Sequence, residues 1–120
     1  MEKVSVYLHI PFCVKRCNYC DFNTYAGKED LIPTYINALC IEIDKVALKF
    51  SDRIQIHTIY FGGGTPSLIS SIHLQKIIMS LHSNFSFIEE PEITIEVNPG
   101  TISSNYLQQI SGVGITRLSI

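Results

Sequence analysis

The chain has 120 residues, 46% of them apolar and 17% charged. This composition excludes disorder, collagen and coiled coil and suits one globular domain at most. Nine basic against eleven acidic residues give a formal net charge of -2, so no basic field draws in nucleic acid or an anionic membrane. No apolar run reaches the roughly 20 residues of a membrane helix, and Met1-Glu2-Lys3 leads into alternation rather than a signal-peptide block. A cytoplasmic protein without a transmembrane segment is expected.

Val4, Val6, Leu8 and Ile10 repeat every second residue and predict a first strand. Directly after it come Cys13, Cys17 and Cys20, spaced C-x3-C-x2-C, in a loop at the carboxyl end of a strand, where parallel α/β folds place their chemistry. Leu31 to Phe50 carries Ile32, Ile36, Leu39, Ile43, Val46, Ala47 and Phe50 at helical spacing behind Asp30, an expected N-cap. Cys40 falls on that stripe and reads as a small buried hydrophobe.

Ile54, Ile56, Thr58 and Tyr60 predict a second strand running into Gly62-Gly63-Gly64-Thr65-Pro66. Leu74, Ile77, Ile78, Leu81 and Phe85 mark a second helix after Ser70-Ser71. A third strand follows at Ile93, Ile95 and Val97, then a short helix from Ser103 to Ile110 stopped by Gly112, and a fourth strand from Ile115 to Ile120. The alternation predicts an α/β fold, a parallel sheet with βα repeats and right-handed crossovers, either doubly wound or an arc of a barrel. The apolar strand pattern reaches Ile120 without a cap or following turn, an ending unusual for a complete α/β domain.

Three thiolates crowded into one loop have few uses. A disulfide is disfavoured without a sign of secretion. A structural zinc site wants a fourth ligand, commonly in a second pair. Soft sulfur ligands suit an iron–sulfur cluster with one iron left open. The triple glycine alone is a sharp strand-to-helix turn whose carbonyls can approach an ammonium group closely, and no Lys follows it as in a phosphate-binding loop. Glu96 alternates with Thr94 and Asn98 and so shares their face of the sheet. His9 reads as a structural histidine, and His57, His73 and His82 have no partner pattern.

Together, His9-Ile10-Pro11-Phe12-Cys13-Val14-Lys15-Arg16-Cys17-Asn18-Tyr19-Cys20-Asp21-Phe22-Asn23, Tyr60-Phe61-Gly62-Gly63-Gly64-Thr65-Pro66-Ser67 and Glu96-Val97-Asn98-Pro99-Gly100 resemble the radical S-adenosylmethionine enzymes of the oxygen-independent coproporphyrinogen III oxidase family, and more narrowly its heme-chaperone branch. The resemblance implies that Cys13, Cys17 and Cys20 each bind one iron of a 4Fe–4S cluster. S-adenosylmethionine would occupy the fourth iron and be cleaved to a 5'-deoxyadenosyl radical. It places Gly63, Gly64 and Thr65 at the methionine end of that cofactor, Glu96 at its ribose or amino group, and Tyr19 and Tyr7 beside it.

Phe22 stands where the oxidases carry a further cysteine, which favours the chaperone branch. Family members are much longer, so residues 1–120 are expected to be the amino-terminal part of the core domain: the first half of a partial TIM-type barrel, without its carboxyl-terminal part or accessory domain. The implied partners are heme or a porphyrinogen, an electron donor and a haemoprotein acceptor. The functional alternatives are oxidative decarboxylation of coproporphyrinogen III and a truncated, non-functional product.

Overall fold

In the computed structural model, residues 1–13, 25–26, 29–100 and 102–120 are described. The elements are β1 (Glu2–Ile10), β2 (Phe12–Cys13), β3 (Tyr25–Ala26), a 3-10 turn (Glu29–Leu31), α1 (Ile32–Phe50), β4 (Ile54–Gly63), a second 3-10 turn (Pro66–Leu68), α2 (Ser71–Asn84), β5 (Ser86–Glu96), α3 (Ser104–Gly112) and β6 (Arg117–Ser119). Strands β1, β4, β5 and β6 form one parallel sheet in that spatial order. The short pair β2 and β3 forms a second ladder, Phe12 opposite Tyr25 and Cys13 opposite Ala26.

The strands of the main sheet send most of their aliphatic residues to one face, where the helices lie. Leu8, Ile10, Ile56, Ile59, Phe61, Ile93 and Ile95 are buried in one core with Ile36, Leu39 and Ile43 of α1, Leu74, Ile77, Ile78 and Leu81 of α2, and Ile110 of α3. Burial of each such side chain stabilises the fold by about 1.5–3 kcal/mol. The first two helices are also tied across their polar edges, Asn84 Nδ2 donating to Asp44 Oδ1 at 2.8 Å and Lys76 Nζ to Asn37.

The second strand departs from simple alternation. Val4 pairs with Ile56 but Ser5 pairs with Thr58, so His57 is an extra residue, a β-bulge that moves the side chains after it to the opposite face. Ile59 and Phe61 are therefore buried on the side of Ile56, while Thr58 and Tyr60, expected on the face of Ile56, turn to the other. The bulge is itself bonded: His57 Nε2 lies 3.2 Å from Ser5 Oγ, which accepts from Thr58 Oγ1 at 2.7 Å.

Other boundaries differ for local reasons. Asp30 is not the cap of α1: the preceding 3-10 turn runs straight into the helix, and Leu31 at the cap position is αR without a side-chain cap bond. Pro33 in the first turn lacks an N–H that would need one. Val46 and Phe50 are exposed, and Arg53 lies over the Phe50 ring, 5.9 Å from its centroid. Cys40 is half-buried rather than buried. Phe85 is extended and ends α2, because Ser86 and Phe87 already pair with Gln55 and Ile56 of β4. The third strand thus starts earlier than alternation suggests, steps out over residues 88–91, and rejoins at Glu92 opposite Thr58.

The Ser70 and Ser103 hydroxyls cap α2 and α3, accepting from the N–H of His73 and Tyr106 at 3.3 and 3.0 Å. Tyr106 then reaches from α3 to the turn after β4, donating its hydroxyl to the Ile69 carbonyl at 2.7 Å. Burial pushes the Tyr106 phenol up to about 12. The fold therefore favours the neutral phenol. This contribution to stability is complete below the ordinary tyrosine value of 10.0 and is lost as pH rises towards about 12. Thermal midpoints measured from pH 9 to 12 should fall less steeply in Tyr106→Phe than in wild type, and identical slopes would refute this assignment.

Candidate functional site

Successive strands bring rows of side chains into register on the face away from the helices. Ser5, Thr58 and Glu92 lie in one row; Tyr7, Tyr60, Thr94 and Arg117 in the next; then His9 beside Gly62, and Glu96 beside Ser119. No aliphatic side chain stands at these paired positions. The interior of an ordinary closed (β/α)8 barrel is filled by layers of branched aliphatics, so a polar lining marks a surface for a ligand rather than for packing. The ion pair between Arg117 and Glu92, at 2.9 Å, is exposed on both sides and contributes little.

The glycine turn lies at the carboxyl end of this face and is docked on the segment that carries the first cysteine. Gly64 N donates to the Ile10 carbonyl at 2.8 Å and Thr65 N to the Phe12 carbonyl at 2.7 Å. Gly63 N donates to Glu96 Oε1 at 3.1 Å. With these three donors engaged inside the protein, the turn cannot cradle a phosphate through them, and its carbonyls are the groups suited to a cation.

Three glycines are needed for three different approaches. A Cβ on Gly62 would stand 2.8 Å from Tyr7 Cε1 and 3.0 Å from Tyr60 Cε1; one on Gly63, where φ is +121°, would stand 2.5 Å from the Ile10 carbonyl oxygen. A Cβ on Gly64 would stand 2.6 Å from Cys13 Sγ and from the Phe12 carbonyl oxygen. All of these distances are closer than carbon, oxygen or sulfur tolerate without displacement.

Cys13 is buried at the end of β2 and is a free thiol. Tyr7 is 57% exposed, donates to or accepts from His9 Nδ1 at 3.0 Å, and stacks on Tyr60 with ring centroids 6.1 Å apart. Partial burial first, and then the charges of Glu96 and Tyr60, push its phenol above the usual tyrosine value. Glu96 accepts a second bond through Oε2, from the Tyr60 hydroxyl at 2.8 Å.

The structure thus gathers Tyr7, Cys13, Gly63, Gly64, Thr65 and Glu96 at one end of the sheet. Cys17, Cys20 and Tyr19 lie outside the described residues. Tyr60 was not among the residues singled out from the sequence. Its signal was present in the glycine at position 62, two residues on, which shares its face and leaves room for its ring.

The fold and the converging motifs define the class. A model of the radical SAM superfamily matches residues 7–120, and the chain belongs to that superfamily, whose members use a 4Fe–4S cluster and S-adenosylmethionine. It is 38% identical over its whole length to the heme chaperone HemW of Haemophilus influenzae and 35% identical to that of Escherichia coli, covering 32% of each. It is 34% identical to the mitochondrial radical S-adenosyl methionine domain-containing protein 1 of Danio rerio, covering 26% of it. Among solved structures it superposes on coproporphyrinogen III oxidase HemN from Escherichia coli with a TM-score of 0.86 and 33% identity, over 98% of this chain and 27% of that one. The chain spans about a third of the length of the curated chaperones it matches. No helix among the described residues is long and apolar enough to cross a membrane.

The close docking of Gly64 on Cys13 gives a direct test. Gly64→Ala should cost about 2 kcal/mol or more through displacement of the Cys13 segment. Gly112→Ala, at the end of α3 with nothing within 4 Å of the added methyl, should stay within about 1 kcal/mol and in the stabilising direction. Urea unfolding of both variants checks this, and equal losses would refute it.

Proposed function

We propose that Cys13, Cys17 and Cys20 bind a 4Fe–4S cluster, that Gly63, Gly64, Thr65, Glu96, Tyr7 and Tyr19 bind S-adenosylmethionine beside it, and that the protein is a heme chaperone. The observation that carries this reading is the convergence of three sequence motifs: the glycine turn lies directly on Cys13, and Glu96 bonds the same turn.

The residues present suit the group. A buried thiol is a soft ligand of the kind that selects iron–sulfur chemistry, and the space a Cβ at Gly64 would fill keeps the turn against it. When bound, the cluster supplies the electron for reductive cleavage of the sulfonium. The protein's own contribution is placement. The docked turn brings backbone carbonyls to the cofactor's ammonium, Glu96 offers a carboxylate acceptor, and the exposed Tyr7 ring supplies an aromatic edge.

The names of the relatives as heme chaperones support heme as cargo, as does Phe22 in place of the oxidases' extra cysteine. An electron donor and a haemoprotein acceptor are the partners this function requires. Oxidative decarboxylation of coproporphyrinogen III is the second reading, favoured by the likeness to HemN.

Anaerobic reconstitution should load about four irons per chain, and Cys13→Ala and Cys17→Ala should each lose most of that iron. Equal iron in wild type and both variants would overturn the cluster assignment. Heme binding followed by absorbance, without turnover of coproporphyrinogen III, is expected of the chaperone; turnover would favour the oxidase.

A further inference from the structure

The Glu96 carboxylate, at the end of β5, is held by two donors of the neighbouring strand β4. Gly63 N, at the last residue of β4, donates to Oε1 at 3.1 Å, and the Tyr60 hydroxyl, three residues earlier in that strand, donates to Oε2 at 2.8 Å. Two donors on two oxygens stop the carboxylate from rotating. They do not saturate it, because an ionised carboxylate offers about four lone-pair sites and a ligand can share either oxygen. A hydroxyl bonded to a charged acceptor is also roughly twice as strong as a neutral pair.

The Tyr60 ring is placed to do this. It is stacked on Tyr7 at an interplanar angle of 19°, and both rings come so close to Gly62 that any side chain there would displace them. Ser119 Oγ lies 3.3 Å from the same phenol oxygen, on the far side from Tyr7's strand. The bulge at His57 is what turns Tyr60 onto this face.

We propose that Tyr60 is a positioning residue, whose hydroxyl fixes the Glu96 carboxylate in the orientation in which it receives S-adenosylmethionine. Tyr60 acts through Glu96 and not on the cofactor. The proposal rests on the reading of Glu96 as a cofactor contact, and its test separates the two.

Tyr60→Phe keeps the ring, its stacking and the fold, and removes only the hydroxyl. Without any cofactor, the Gly63 amide should exchange several-fold faster with solvent and its proton resonance should shift, because its acceptor is no longer anchored. In the cluster-loaded chain, iron content should equal that of wild type while the dissociation constant for S-adenosylmethionine rises about tenfold, the scale of one hydrogen bond to a charged group. In a Glu96→Ala background the same Tyr60→Phe change should have no further effect.

An unchanged Gly63 amide would overturn the proposal, as would a full tenfold loss persisting in the Glu96→Ala background. If Glu96→Ala alone binds S-adenosylmethionine like wild type, the cofactor reading of Glu96 fails and this proposal falls with it, whereas the amide measurement still reports whether Tyr60 holds the carboxylate. Ser119→Ala, which removes only the longer contact, should leave both readouts near wild type.

Discussion

The backbone of the glycine turn lies so close to the segment entering the cysteine loop that no side chain fits between them. Gly63 would clash with the Ile10 carbonyl and Gly64 with both the Phe12 carbonyl and Cys13 Sγ if either carried a Cβ. The hydrogen bonds from Gly64 to Ile10 and from Thr65 to Phe12 hold that approach. Everything else in the site is placed relative to this junction. It sets where Cys13 sits, leaves Gly63 N pointing at Glu96, and joins the ends of β1 and β4 into one rim.

The sheet behind that rim is divided sharply by face. Buried aliphatics on one side account for the cohesion of strands and helices, and this burial is the dominant favourable term in folding. The paired positions of the other side carry hydroxyls, imidazoles, carboxylates and aromatic rings. A polar face costs stability that aliphatic packing would have contributed. This face therefore stands apart from the packing core.

The β-bulge at His57 joins these two descriptions. Without the extra residue, the helix-facing register of Ile54 and Ile56 would continue to Thr58 and Tyr60, and Ile59 and Phe61 would face the ligand side. With it, Phe61 is fully buried and Tyr60 reaches Glu96. One inserted residue thereby converts a strand that began as core support into one that also furnishes the site.

Much of this protein was determined by its sequence alone. Periodicity places the βα order, since strand and helix repeats depend only on which face each residue must bury. The cysteine spacing, the glycine run and Glu96 carry the family resemblance, and the glycine run is of a type that close backbone approach demands. Boundaries were less legible where two local signals competed. Asp30 looks like a cap yet stands inside a 3-10 turn, and Phe85 fits the helical stripe yet is drawn into extended pairing. Only the tertiary structure decided which face Tyr60 occupies and what Glu96 bonds, since the first depends on a register shift between strands and the second joins residues 36 positions apart. Such contacts arise from how strands align with their neighbours, and no periodicity within a single strand records that alignment.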